Sequence, residues 1–227
     1  MLIPVNFANS PEEYKYFYEF IKTPLDCTVT VHSIIHERKR ESNHKKEDMM
    51  EFTLANEQQW ANIKEIYLEA FPKQERKPYF MLRRSVKKGK AVVMTATEGG
   101  ELLGFTVLIP YKDMVMVDYL AVSSKIRSKG TGSYIIQNVC RHYAGKKIVL
   151  LIERLDDQAQ NREQRVARRR FYLKNGFTSS DIFIEGVSGE LEVLNYRRQV
   201  SQEDYICLQR YALGKLLFKL SKIKIVK

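Results

Sequence analysis

A glycine-containing turn between an apolar segment and a helix start constrains this sequence more than any other feature. It lies in the stretch DYLAVSSKIRSKGTGSYII, which runs from Asp118 to Ile136. Glycines let the backbone approach a ligand closely, and the first N–H groups of the following helix have no intrahelical partner. Since these groups and the helix dipole attract anions, the stretch predicts a strand–loop–helix unit that binds a pyrophosphate.

Two well-known phosphate loops do not fit this stretch. A dinucleotide fingerprint needs a third glycine where Ile135 stands, and a P-loop needs Gly-Lys followed by Ser or Thr, which the stretch lacks. What remains is Arg127-x-x-Gly130-x-Gly132 after a strand. This pattern resembles the coenzyme A loop of the GNAT family of N-acetyltransferases, Gln/Arg-x-x-Gly-x-Gly/Ala.

A second segment supports the same resemblance. RRRFYLKNGF, from Arg168 to Phe177, is similar to the family's Phe-Tyr-x-x-x-Gly-Phe segment, in which a helix ends at a glycine and a strand begins. The residues alone indicate a helix end, because Asn175-Gly176 favours the left-handed conformation that closes helices. The resemblance implies an α/β protein with the GNAT acyl-CoA N-acyltransferase fold: a central mixed, mostly antiparallel sheet flanked by helices.

The composition is typical of a globular protein and argues against disulfide-rich, secreted and membrane-spanning classes. The 227 residues are 44% hydrophobic, which is ordinary for a globular protein. The three cysteines, Cys27, Cys140 and Cys207, form no Cys-x-x-Cys pair, so we expect reduced thiols. Neither a secretory signal nor a bilayer-spanning apolar run is present, so we expect a cytoplasmic protein without a membrane partner.

The chain is basic, with 38 Lys and Arg against 27 Asp and Glu and a net charge of +11. Such a charge attracts anions, including both coenzyme A and nucleic acid. No helix-turn-helix, zinc finger or aromatic RNA-binding signature accompanies the basic clusters, so we do not expect a nucleic-acid partner. His32 and His36 lack the glutamate that a metalloprotease motif requires, and we expect no metal.

The sequence predicts three parts. Residues 1–49 read as an N-terminal extension, with a helix start at Ser10-Pro11, a short strand at 27–31 and a polar linker at 37–48. Residues 50–198 hold both motifs and are the domain that resembles GNAT proteins. Residues 199–227 predict a basic amphipathic helix, which we expect to pack on the domain or on a second subunit of a homodimer. The alternative is an anionic membrane surface.

The resemblance also implies how the donor is held. In the family, the strand before the loop separates from its neighbour and offers backbone groups to the pantetheine arm, while the loop and the helix start bind the phosphates. Carried over to this chain, the residues that bind acetyl-CoA are Tyr119, Leu120, Ala121, Val122, Arg127, Ser128, Lys129, Gly130, Thr131 and Gly132.

Two residues are candidates for the chemistry. Tyr172 matches the tyrosine that GNAT enzymes often use as general acid towards the coenzyme A thiolate, and a phenol is protonated at neutral pH. Its alternative role is core packing. Glu153 ends the apolar segment Ile148–Ile152, across the expected cleft, where a carboxylate can act as general base towards the amine. Its alternative role is an ion pair with a nearby arginine.

Two further positions follow from the resemblance. AFPKQERKP, from Ala70 to Pro78, is similar to a Phe-Pro-x-x-Glu-Arg stretch of bacterial GNAT proteins, which makes Glu75 the candidate for substrate binding. Many family members carry asparagine seven residues before the tyrosine. Arg165 takes this position here, and Asn161, four residues earlier, is the candidate for the pantetheine contact.

The resulting hypothesis is an N-acetyltransferase that moves an acetyl group from acetyl-CoA, its co-substrate, to a primary amine in a ternary complex. The acceptor is a small molecule or a peptide, and the sequence does not choose between them. Six acidic residues are available to make the cleft acidic: Glu65, Glu69, Glu75, Glu153, Asp156 and Asp157. The rival hypothesis is a non-catalytic GNAT-fold module that binds coenzyme A or nucleic acid.

Overall fold

The computed structural model of the chain describes residues 50–73, 76–126, 130–186, 189–221 and 223–226. The predicted extension at 1–49, with its helix, strand, linker and histidines, lies outside them. The described strands are β1 Met50–Leu54, β2 Val92–Glu98, β3 Glu101–Tyr111, β4 Met114–Val122, β5 Lys147–Glu153, β6 Phe177–Gly186, β7 Gly189–Tyr196 and β8 Lys224–Val226. The described helices are α1 Trp60–Ala70, α2 Tyr79–Lys87, α3 Thr131–His142, α4 Arg162–Lys174 and α5 Gln202–Leu220.

The strands form one eight-stranded sheet in the order β1-β2-β3-β4-β5-β7-β6-β8. Neighbouring strands are antiparallel, except that β4 and β5 are parallel and are connected through α3. This arrangement confirms the predicted mixed, mostly antiparallel sheet flanked by helices.

Apolar side chains cover the sheet on both faces. Ile63 and Tyr67 of α1, Leu82 of α2, and Tyr205 and Leu208 of α5 belong to the buried cluster on one face. The buried cluster on the other face includes Ile135 and Val139 of α3 and Tyr172 of α4. Because strands in the middle of a two-sided sheet are covered above and below, β3 and β4 are apolar at nearly every position rather than alternating.

Three described elements were not predicted. They are β1, β8 and the helix α2, which contains the basic residues Arg83, Arg84 and Lys87. Tyr79, Leu82 and Val86 of α2 have helical spacing and pack on the same buried cluster, so the residues alone could have indicated this helix. Among the described residues, no helix combines the length and the apolarity needed to cross a membrane.

The C-terminal segment forms a kinked helix and a strand, whereas the sequence predicts a single helix. Ser201 caps α5 by accepting a hydrogen bond from the backbone of Asp204 at 3.1 Å. Gly214 then takes φ 76° and ψ 161°, which breaks the helical path inside α5. After this kink the chain reaches β8, which pairs with β6 at the sheet edge. The segment therefore packs on the domain and also extends its sheet.

Gly104 of β3 lies where β3, β4 and α3 come closest together. A Cβ at this position would lie 2.5 Å from the Ala121 carbonyl oxygen and 3.0 Å from a methyl group of Ile135. We expect Gly104→Ala to lower the free energy of unfolding by about 1–3 kcal/mol, since the strand or the helix must move to admit the methyl group. Chemical denaturation measures this loss.

The matched control is Gly186→Ala in β6, where an added Cβ would meet no atom within 4 Å. This variant should keep the parent stability to within about 0.5 kcal/mol. Equal losses for the two variants would contradict the close approach at Gly104.

Candidate functional site

The sheet opens between β4 and β5. Their pairing runs only from Met114 with Lys147 to Val117 with Leu150, although β4 continues to Val122 and β5 to Glu153. A β-bulge marks the point of separation, because Val107 pairs with Tyr119 and Leu108 pairs with Val117, which leaves Asp118 as the extra residue. The backbone of residues 119–122 therefore borders an opening that β5 does not fill.

Helix α3 begins beside the end of β4. Gly130 is its N-cap, with φ 118° and ψ −21°, a conformation that favours glycine. The first backbone bond of the helix joins the Tyr134 N–H to the Gly130 carbonyl at 2.8 Å. By helix geometry, the N–H groups of the first turn point out of this end and carry the positive end of the dipole. Thr131 and Gly132 are buried, whereas Arg127, Ser128 and Lys129 lie outside the described residues.

Asn175 connects the helix start to the second motif. Its side-chain amide donates to the Phe171 carbonyl at 2.8 Å and to the Ser133 hydroxyl at 3.3 Å, and it accepts from Gln137 at 3.2 Å. The residue is buried and closes α4, and Gly176 follows with φ 86°, as the sequence predicts for this helix end. Asn175 therefore fixes the position of α4 relative to the first turn of α3.

Tyr172 lies on α4 inside the cluster that also contains Leu120 of β4 and Ile152 of β5. Its ring makes edge contacts with Phe171 and Phe177. Burial raises the pKa of its phenol above the usual value, so the hydroxyl stays protonated. Among the described residues this hydroxyl has no hydrogen-bond partner, which is rare for a buried donor.

Glu153 is the centre of a buried polar cluster at the start of α4. Its carboxylate accepts from Arg168, from the Asn161 amide at 2.9 Å, and lies 3.4 Å from Arg165. The Glu153 and Arg168 side chains are only 9% and 4% exposed, so little water screens the pair. The structure thus contains the ion pair that the sequence left as the alternative to a base at Glu153.

Asn161 and Arg165 complete this cluster rather than standing apart from it. The Asn161 side-chain oxygen accepts from Arg165 at 2.8 Å, and Arg165 also donates to the Arg154 carbonyl at 2.9 Å. Asn161, the candidate for the pantetheine contact, is therefore engaged through both ends of its amide by protein groups.

Asp118 and Lys77 form a second cluster that the sequence did not predict. The Lys77 ammonium donates to the Asp118 carboxylate at 2.7 Å, and their side chains are 16% and 7% exposed. The Lys77 backbone donates to the Tyr119 hydroxyl at 3.0 Å and accepts from the Tyr67 hydroxyl at 2.9 Å. Burial raises the pKa of Tyr67 to about 12, and it also raises the pKa of Tyr119. Both hydroxyls that contact the Lys77 backbone therefore stay protonated and neutral.

A cavity of about 540 Å³ opens on the face covered by α1, α2 and α5, and Asp118 and Lys77 are among its lining residues. Glu75 lies outside the described residues. Glu65 and Glu69 line a separate surface depression, where Glu65 pairs with Lys125 at 2.7 Å. Among the described residues that line the cavity, Asp118 is the only acidic one, and Glu65, Glu69, Glu153, Asp156 and Asp157 do not line it.

Other chemistries find little support in the described part of the chain. No group of three or more His, Cys, Asp or Glu side chains that could hold a metal ion occurs there. Burial raises the pKa of the Cys140 thiol to about 12, which removes it as a nucleophile at neutral pH.

Comparison with known families settles the relationship of this site. Residues 89–179 match the model of the acetyltransferase (GNAT) domain, and this span includes both motifs, the β4–β5 opening and Tyr172. Residues 89–179 are a GNAT domain. No curated protein matches the chain.

Solved structures share the GNAT fold with this chain. A GNAT-family protein from Bacteroides thetaiotaomicron is 18% identical with a TM-score of 0.61, over 74% of this chain and 98% of that one. An acetyltransferase from Bacillus subtilis, solved in complex with CoA, is 16% identical with a TM-score of 0.51, over 65% and 97%. The Escherichia coli ribosomal-protein-S18-alanine N-acetyltransferase is 14% identical with a TM-score of 0.51, over 69% and 98%. At these identities the likeness concerns the fold alone.

Proposed function

We propose that the chain is an acetyl-CoA-dependent N-acetyltransferase that transfers the acetyl group directly to a primary amine. The observation that supports this most strongly is the opening between β4 and β5 beside the first turn of α3. An open strand edge presents N–H and C=O groups to an extended amide-bearing ligand, and the helix end attracts its phosphates. The pantetheine arm and pyrophosphate of acetyl-CoA have this combination of groups.

The proposed donor site consists of the β4 backbone at Tyr119–Val122, residues 127–130, and Thr131 and Gly132 at the helix start. Similar folds with bound CoA, such as the Bacillus subtilis protein, support this assignment. Asn161 is withdrawn from the donor site, because both ends of its amide contact Glu153 and Arg165.

In the proposed reaction the amine nitrogen attacks the thioester carbonyl carbon, a carbon–nitrogen bond forms and the carbon–sulfur bond breaks. The leaving thiolate takes a proton from the Tyr172 hydroxyl. The extra proton of the new amide nitrogen passes to water, and a proton from water restores the Tyr172 phenol. One observation supports Tyr172 as the acid: its hydroxyl has no hydrogen-bond partner among the described residues. A thiolate would supply the missing partner.

For Glu153 we propose the second of the two roles that the sequence left open, the ion pair. Because its carboxylate contacts two arginines and Asn161, removing a proton from an amine would require it to release these partners. We therefore assign Glu153 as a positioning residue that holds Arg168 one helical turn before Tyr172.

The donor site can be tested at Ser133, the third residue of α3, which is half-buried. An acidic residue in a first turn favours the helix, yet its charge opposes a phosphate at the same end. We expect Ser133→Glu to raise the Kd for acetyl-CoA by about tenfold or more, as an added like charge costs at least about 1.4 kcal/mol at close range. Isothermal titration calorimetry measures this Kd.

Ser133→Gln is the matched control, since it has the size of glutamate without the charge and loses the same contact with Asn175. It should bind acetyl-CoA within about threefold of the parent. Equal weakening in both variants would mean that the effect is steric, and unchanged binding in both would remove the proposed phosphate site.

The rival function, a GNAT-fold module without catalysis, differs in one measurable property. A catalyst releases free thiol from acetyl-CoA when an acceptor amine is present, whereas a binding module does not. A thiol-release screen over amino acids, aliphatic amines and peptides separates the two.

A further inference from the structure

The cavity on the α1, α2 and α5 face has an apolar interior. Its floor contains the buried sheet residues Val107, Ile109 and Leu191 together with Asp118. Helix α2 and the C-terminal segment supply the walls, with the apolar residues Met81, Leu82, Leu213, Leu217, Leu220 and Ile223. At about 540 Å³ its volume is that of a small-molecule site.

Charges occupy the two ends of this cavity. Arg84 and Lys88 line it and are exposed, so they lie at its mouth, and Lys90 lies nearby with its ammonium 5.2 Å from the Tyr211 ring centre. Asp118 is 7% exposed and lies at the floor beside Lys77. The mouth therefore favours an anion, whereas the floor holds the Lys77–Asp118 ion pair, in which Lys77 contacts one of the two carboxylate oxygens.

Asp118 also links the cavity to the opening between β4 and β5. It is the bulged residue, and it directly follows Val117, the last residue of β4 that pairs with β5. Lys77 contacts one oxygen of its carboxylate, and a carboxylate has capacity for further hydrogen bonds. An amine that donates to Asp118 would thus lie at the place where the strands part.

We propose, resting on the acetyltransferase function above, that the acceptor is a small molecule with three parts. A primary amine binds at Asp118, an elongated apolar body lies along the leucine-lined wall, and an anionic group such as a carboxylate lies between Arg84 and Lys88. This assigns Asp118 as an acceptor-binding residue. Polyamines and aminoglycosides are disfavoured, because their additional positive charges would meet the basic mouth.

The first experiment measures binding of three probes by calorimetry without acetyl-CoA. The probes are 8-aminooctanoate, octylamine and 1,8-diaminooctane, which share a chain length and differ at the end remote from the amine. The aminooctanoate should bind about tenfold more tightly than octylamine, and the diamine should bind most weakly. Equal affinities, or tightest binding of the diamine, would overturn the proposal.

The second experiment reverses charges at the mouth. Arg84→Glu/Lys88→Glu should weaken binding of 8-aminooctanoate by about tenfold and leave octylamine unchanged. The control is Lys64→Glu/Lys87→Glu, which changes the net charge equally at residues that do not line the cavity. If the control weakens binding as much as the test variant, the effect is long-range and the carboxylate site is wrong.

Titration of the same samples with acetyl-CoA tests the acetyltransferase function separately from the proposed acceptor class. Binding of 8-aminooctanoate without binding of acetyl-CoA would refute the acetyltransferase function and retain the cavity site. Binding of acetyl-CoA without binding of 8-aminooctanoate would refute the acceptor class alone. Thiol release that depends on 8-aminooctanoate, and falls in Asp118→Asn while acetyl-CoA binding persists, supports both.

Discussion

Replacing Tyr172 with phenylalanine is expected to lower kcat by about a hundredfold or more, the lower range for loss of a general acid, without changing the affinity for acetyl-CoA. The hydroxyl is buried and has no partner among the described residues, so its removal costs the free protein no hydrogen bond. The thermal stability of Tyr172→Phe should therefore equal or exceed that of the parent. Steady-state kinetics, calorimetric titration and thermal unfolding test the three parts.

Tyr205 provides the contrasting control. It is equally buried, but its hydroxyl accepts a hydrogen bond from the Gln209 amide. Tyr205→Phe should lower stability by about 1 kcal/mol and leave kcat unchanged. A Tyr172→Phe variant that loses stability and keeps its turnover would show that Tyr172 is a packing residue, the alternative that the sequence left open.

The second large effect is expected at Glu153. Glu153→Gln leaves the Arg168 guanidinium, only 4% exposed, without its counter-charge. Since a buried charge that loses its partner is costly, we expect the free energy of unfolding to fall by about 3–5 kcal/mol. Chemical denaturation measures the loss.

Glu190→Gln is the surface counterpart, because it breaks the Glu190 pair with Arg154, whose side chains are 53% and 37% exposed. This change should cost less than about 1 kcal/mol. A kinetic test accompanies the stability test: if Glu153→Gln removes the acidic limb of the pH–rate profile, where a base loses activity by protonation, without destabilising the protein, Glu153 is the base and the positioning role is wrong.

Much of the fold could be predicted because local chemistry determines it. The two adjacent glycines of Glu98-Gly99-Gly100-Glu101 mark the turn that joins β2 to β3, and Asn56 marks the helix start by accepting from the Gln59 N–H before α1. Strands β1 and β8 could not be predicted in this way. They have five and three residues, and they gain their hydrogen bonds from β2 and β6, which are distant in sequence.

The candidate site shows the same division. The loop before α3 and the helix end at Asn175-Gly176 are continuous in sequence, so their patterns were visible. The Asp118 bulge depends on how β4 pairs with β3, and the Lys77–Asp118 contact spans 41 positions. Neither the bulge nor this contact produces a periodic pattern in the sequence from which it could have been predicted. The choice between base and ion pair for Glu153 likewise depended on where α4 brings Arg168.

The short parallel ladder between β4 and β5 has a consequence for how the protein unfolds. Strands β1–β4 are joined by antiparallel ladders and so are β5–β8. In the described part of the chain, the two groups are linked by the short ladder from Met114–Lys147 to Val117–Leu150 and by the adjoining bond from the Lys147 N–H to the Asp113 carbonyl. Since this connection is short, we expect a partial opening of the native state to begin by separation of the two groups between β4 and β5. A ligand bound between β4 and β5 would contact both groups of strands, so its binding would oppose their separation and its release would permit it.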